Sequence, residues 1–98
     1  MSYDVTVGNR EENYTSNMRR FFTDFGAHPR CWAGRDRKEV GREIGQALRR
    51  IAREDWDRLH GEYDAPNGWG DVESATRFLI RVWAGCFYEV PETVEVWW

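Results

Sequence analysis

The sequence predicts an α+β domain in which a small two- or three-stranded sheet, formed by the N-terminal and C-terminal strands, packs against about three helices. Three observations carry that prediction. Residues 2–8 and 93–98 alternate apolar and polar side chains with the period of two that half-buried strands show. Between them, separate runs place apolar residues three and four positions apart, the spacing of helices buried along one side. Finally, a chain of 98 residues makes one compact domain, 1–98, and at that size buries only about 65% of its unfolded surface. Its core must be dense, and six Trp, five Phe and four Tyr supply the bulk.

Each element follows from local signals. Tyr3, Val5 and Val7 form the inward side of the first strand, Gly8-Asn9 marks a turn, and Glu11 to Tyr14 returns as a second strand. Thr15 and Ser16 cap a short helix carrying Met18, Phe21, Phe22 and Phe25, with Gly26 as its stop. Residues 27–35 read as a loop that Trp32 anchors to the body. Asp36 caps the longest helix, about 37–53, with Val40, Ile44, Ala47, Leu48 and Ile51 inward and Arg42, Glu43, Arg49 and Arg50 outward. Gly41 and Gly45 sit one turn apart on its flank and cost about 1 kcal/mol each relative to Ala, which points to close approach by the last helix or a tryptophan. Arg53 to His60 continues or breaks that helix, with Trp56 and Leu59 as an inward pair.

The chain turns on Tyr63 to Val72. Pro66, Asn67-Gly68 and Gly70 shape a loop rather than leave it slack, and the two glycines around Trp69 suggest a backbone bent to seat that indole. Asp71 then caps a helix over about 71–88, with Val72, Ala75, Phe78, Leu79, Val82 and Cys86 along one side, Trp83 a further candidate for it, and Pro91 beyond its stop. In the terminal strand Val94, Val96 and Trp98 share one side, Thr93, Glu95 and Trp97 the other. A lone strand is unstable in water, so this one is expected beside residues 2–8.

Charge and composition limit the function classes. The formal charge is -3, and the fourteen basic residues are thirteen Arg and Lys38, without a block of like charge. A general nucleic-acid stripe is therefore not expected. No apolar run approaches the roughly 20 residues that span a bilayer, and Met1 leads directly into polar alternation, so a cytoplasmic protein with reduced Cys31 and Cys86 is expected.

Candidate chemistry is sparse. His28, Cys31, His60 and Cys86 have no metal-ligand spacing, and neither histidine makes a recognisable nucleophile pair with Cys31. Gly68-Trp69-Gly70 lacks the strand and the Lys-Ser/Thr of a nucleotide loop, and Asp71 and Glu73 oppose an anion at the helix start. No catalytic residues, metal ligands or cofactor are predicted. Two polar sets remain, Asn13, Thr15, Ser16 and Asn17, and Asp64, Asn67, Trp69 and Asp71. Capping and turn formation account for most of them; if both helix starts open on one side, Asn13, Thr15, Asn17, Asn67 and Trp69 form a ligand rim.

The order Tyr3-Asp4-Val5, Asn13-Tyr14-Thr15-Ser16-Asn17, Asn67-Gly68-Trp69-Gly70, a Cys in the last helix, and Pro91 before a valine-rich terminal strand resembles small uncharacterised proteins of bacteriophages and prophages, many of them actinobacterial. The resemblance spans nearly the whole chain, with nothing to match in residues 27–60, and the Trp97-Trp98 ending departs from the polar ending expected there. It implies a phage setting and a host cytoplasm, not a mechanism. The expected function is a non-enzymatic interaction module that binds a host protein, with inhibition of a defence nuclease complex in the manner of anti-CRISPR proteins as one version. Trp97, Glu95, Arg42 and Arg49 are its expected contacts, because Trp and Arg dominate interface hot spots. The alternative is a protein that sequesters a small ligand or nucleotide at the Trp69 rim. Neither direct nucleic-acid binding nor a membrane is expected, and the terminal edge strand offers a route to a homodimer.

Overall fold

The computed structural model describes residues 2–87 and 92–98. The alternating N-terminal segment forms β1 (Ser2–Val7), which turns at Gly8 (φ 59°) into antiparallel β2 (Arg10–Thr15). The C-terminal β3 (Glu95–Trp97) pairs antiparallel with the other edge of β1, giving the order β2-β1-β3. Asp4 faces Trp97 and Val5 faces Val96, so the two ends of the chain lie side by side.

A 3₁₀ turn (Ser16–Met18) leads into α1 (Arg19–Asp24), so the first helix begins as a tighter coil than its apolar spacing predicts. Gly26, at φ 76°, stops it as expected. A second 3₁₀ turn (Pro29–Trp32) lies within the predicted loop and buries Trp32. The remaining helices are α2 (Arg37–Ala52), α3 (Trp56–Tyr63) and α4 (Val72–Gly85). Asp36, Asp55 and Asp71 cap them, each carboxylate accepting backbone N–H bonds from the first turn.

Helix α4 lies on the inner face of the sheet, and α2 packs against α4. The core between them is aromatic. Tyr14 stacks on Phe78 with ring centroids 5.3 Å apart and meets Phe22 edge-on at 5.8 Å, while Trp32 stacks on Phe78 at 6.3 Å. The Tyr14 hydroxyl donates to the Asp71 carbonyl at 3.1 Å and lies 2.7 Å from Ser74 Oγ, which fixes the start of α4 against β2. The loop between α3 and α4 is shaped as predicted: Ala65 N–H bonds Gly70 O, Gly68 N–H bonds Ala65 O, and Val72 N–H reaches back to Asp64 Oδ1.

Three tryptophans depart from their predicted places. Trp69 is not seated between its glycines; it is 71% exposed. Gly70 is the packing residue there, since a Cβ on it would lie 2.9 Å from Met18 Cγ and 3.0 Å from Thr15 Cγ2. Trp56 does not pair inward with Leu59, because the short α3 meets the body through Leu59 and Tyr63, one turn apart, leaving Trp56 tilted against His60. Trp98 lies beyond the last paired residue, half exposed, with the Arg30 guanidinium 4.6 Å from its ring, so the inward alternation of Val94 and Val96 does not extend to it. Helix α4 ends at Gly85, three residues short of the predicted stop, and Pro91 lies outside the described residues.

The edge offered by β3 is short and partly covered. Gly34 N–H bonds Val94 O, Val94 N–H bonds Arg35 O, and Asp36 bridges Thr93, so segment 34–36 already takes up part of that edge. Covering an edge in this way limits pairing with a second chain.

Candidate partner-binding groove

The predicted site residues fall into three separate places. Asn13 lies on the open face of the sheet, where its amide donates to Asp4 Oδ1 at 2.6 Å and Ser2 Oγ at 3.2 Å. Trp97 borders the same depression as Asp4, Glu11 and Asn13, and it is 69% exposed; Glu95 stands in the next row, opposite Thr6. This face is acidic, with one indole.

Thr15, Asn17, Asn67 and Trp69 do come together, without Asn13. Their polar groups are largely engaged with one another: Asn17 N–H bonds Thr15 Oγ1, Asn17 Nδ2 donates to Trp69 O at 3.1 Å, and Trp69 N–H bonds Asn67 Oδ1 at 3.0 Å. The predicted rim is thus a knot of capping and turn bonds from which the indole projects.

Arg42 and Arg49 border a third place, the groove between α2 and α4. Its depth comes from the two glycines whose close approach the sequence anticipated. A Cβ on Gly41 would stand 2.9 Å from Cys86 Cβ, and one on Gly45 would stand 3.3 Å from Trp83 Nε1. With no side chains there, α2 presents bare backbone and α4 leans onto it. Two adjoining depressions of about 450 Å³ each share Gly41, Arg42 and Trp83 as lining. Trp83 meets Phe87 edge-on at 4.8 Å, and Phe87 is 66% exposed.

The groove is bordered by positive charge. Lys38, Arg42 and Arg49 stand exposed along one side of α2 and make no ion pair among the described residues. Six other arginines pair with carboxylates: Arg10 and Arg81 with Glu12, Arg20 with Asp24 and Glu62, Arg35 with Glu39 and Glu43, Arg58 with Glu54 and Glu62, and Arg77 with Glu73, whereas exposed Arg19 and Arg53, away from the groove lining, also make no ion pair among the described residues. Arg37, at the groove's end, is buried, and its Nη1 donates to the Cys86 carbonyl at 2.9 Å.

Comparisons with protein-family models, curated proteins and solved structures return no match. Trp83, Phe87 and Arg37 are the groove residues that sequence reasoning did not single out as contacts. A signal for the aromatics was present: Ile80, Trp83 and Phe87 recur at three and four positions beside the core stripe, marking a second apolar side on α4. Nothing in the sequence marks Arg37 for burial, since first-turn arginines ordinarily reach water.

The other reactive side chains lie apart from this groove or are blunted. His28 Nε2 is 3.2 Å from the Tyr3 hydroxyl, and burial followed by the nearby Arg30 and Arg19 charges lowers its pKa. His60 Nδ1 bonds Asp64 Oδ2 at 2.7 Å, which raises its pKa. Cys31 is exposed, whereas burial pushes the Cys86 thiol up to about 11. Among the described residues no three His, Cys, Asp or Glu side chains group to hold a metal, and no helix is long and apolar enough to cross a membrane.

Proposed function

We propose that the chain is a non-enzymatic protein-interaction module whose contact surface is the groove between α2 and α4. The observation that carries this reading is the combination of an open aromatic lining, Trp83 and Phe87, with the unneutralised cations Lys38, Arg42 and Arg49. Apolar area in a concavity supplies affinity, and fixed charge at its border selects an oppositely charged partner and speeds encounter. The partner is an acidic segment of another protein. The phage setting implied by the sequence resemblance makes a host defence complex, such as a nuclease, the first partner class to test. Trp97 and Glu95, on the acidic sheet face, belong to a different surface and are secondary in this reading.

The test is site-directed photocrosslinking in host cells. A benzophenone amino acid replaces Arg42, Phe87, Trp69 or Trp97, one at a time, and adducts are identified by mass spectrometry. The reading expects one partner protein from positions 42 and 87. Adducts from position 97 alone move the contact to the sheet face, and adducts from position 69 alone move it to the loop; either result refutes the groove.

A further inference from the structure

Arg37 is the one charged residue in the buried set of described residues, at 7% exposure. A guanidinium carries five N–H donors and a permanent charge. Here the described residues supply one acceptor, the Cys86 carbonyl at 2.9 Å, and the buried Nε has no partner. No carboxylate among them lies within ion-pair distance, and the arginines that share this lack, Arg42 and Arg49 among them, are exposed to water, as Arg37 is not. Folded chains ordinarily avoid this arrangement, because a buried ion is tolerated when it is paired.

One structural role is visible and is too small to account for the residue. Bonding Cys86 O satisfies a carbonyl at the end of α4 and places positive charge at the negative end of the helix dipole. That role uses a single N–H, and an exposed side chain could fill it without burying the charge. Arg37 instead lines the groove beside Trp83, Cys86 and Phe87, with Lys38 and Arg42 next to it.

We infer that Arg37 is the receptor for a carboxylate carried by the groove's occupant, an acidic peptide segment in which Glu or Asp stands beside a large apolar side chain. The planar fork matches a carboxylate in two parallel hydrogen bonds, Lys38 and Arg42 add charge at the mouth, and the Trp83 and Phe87 rings take the apolar neighbour. The inference rests on the groove being the contact surface and adds the chemistry of the segment it takes.

The experiment uses the full chain, labelled with ¹⁵N, and follows the Arg37 Nε–H and Trp83 indole N–H signals by NMR. Three probes are titrated to about 10 mM, near the weak limit of measurable affinity: acetyl-Glu-Phe-Leu-Glu-amide, the same peptide with Gln for both Glu, and inorganic phosphate. The Glu peptide is expected to move both signals together, and the Gln peptide to bind about tenfold more weakly. Arg37→Lys, which keeps the charge and loses the fork, is expected to fold and to weaken the Glu peptide severalfold. Equal binding of the two peptides, or an Arg37 signal that does not move, overturns the inference. So does phosphate that shifts Arg37 as far as the peptide does, which marks a site for small anions only. Glu89→Gln is the internal control: if that change alone moves the Arg37 signal and lowers Tm as much as Arg37→Gln, the chain supplies its own carboxylate. Groove adducts in cells with a failed peptide titration sink this inference alone. A positive titration with no groove adducts sinks the contact surface alone.

Discussion

Adding one methyl group at each of three helical glycines should change stability in a fixed order. At Gly85 a Cβ would lie 2.7 Å from Val7 Cγ1 and 2.9 Å from the Val7 carbonyl oxygen, so the obstacle includes the central strand's own backbone. Carbon atoms pack at about 3.5–4.0 Å, so the end of α4 must retreat from the sheet by roughly 0.8 Å, a gap that forfeits a quarter to a half of the contact energy along that seam. Overpacking of this kind costs ~1–3 kcal/mol, offset by ~1 kcal/mol of helix propensity. The net loss for Gly85→Ala should be about 2 kcal/mol, because backbone cannot step aside. At Gly41 the obstacle is Cys86 Cβ at 2.9 Å, which moves only with α4, and the net loss should be about 1 kcal/mol. At Gly45 the neighbour is Trp83 Nε1 at 3.3 Å, the far end of a half-buried side chain that can shift. Propensity should prevail there, for a gain of about 0.5 kcal/mol. Thermal unfolding followed by circular dichroism reads these values at about 4–8 °C per kcal/mol for a domain of this size, with urea midpoints as a check. A Gly85→Ala protein as stable as the parent, or a Gly45→Ala protein that is the weakest of the three, would refute the packing argument.

Further outcomes follow from single groups. The pKa of His60 is raised by its bond to Asp64, so its contribution to stability is complete below about 6.5 and is lost as pH rises through the folded value; an NMR titration should place His60 above the ordinary value, and Asp64→Asn should bring it back. His28 acts in the opposite sense, since burial lowers its pKa and stability falls as pH drops below about 6.5; the same titration should show the two imidazoles on opposite sides of the ordinary value. Cys31 is exposed and Cys86 is buried with its thiol at about 11, so a thiol reagent should label the native chain once, and Cys31→Ser should abolish that fast reaction. Asp71→Ala removes the acceptor of the Ser74 N–H bond at 2.7 Å and should cost about 1 kcal/mol by urea unfolding.

Much of this architecture is legible in the sequence because it depends on periodicity and on capping residues, both local properties. Tyr3, Val5 and Val7 alternate because one side of β1 faces the core. Asp36 and Asp71 announce α2 and α4 because a short carboxylate ahead of an apolar run satisfies free N–H groups. The meeting of the two terminal strands was legible from stability: an isolated strand needs a partner, and β1 was the one with the right pattern. What was not legible depends on which side of a short element meets its neighbours. Trp69 and Trp56 are large and apolar, yet the residues that pack are Gly70 and Leu59, and side-chain size gives no warning of that. The predicted contact set was divided for the same reason. Residue type alone does not separate Trp97 and Glu95 from Arg42 and Arg49 as contacts, but the strand register puts the first pair on the open sheet face and helix packing puts the second on the groove.

The position of each arginine, more than the number of them, bears on function. Thirteen Arg against one Lys is compatible with a genome-wide bias or with a demand for planar contacts, and composition cannot separate the two. Within the fold the arginines sort by surroundings. Arg10, Arg20, Arg35, Arg58, Arg77 and Arg81 pair with carboxylates, and Arg20, Arg30 and Arg50 lie over the rings of Tyr63, Trp98 and Phe25. Arg19, Arg37, Arg42, Arg49 and Arg53 have neither kind of partner among the described residues, and three of these five, Arg37, Arg42 and Arg49, border the same groove. Three arginines and Lys38 beside exposed rings give the groove the positive border an interface uses, and the chain's small negative net charge hides it by averaging the groove with the acidic sheet face of Asp4, Glu11 and Glu95.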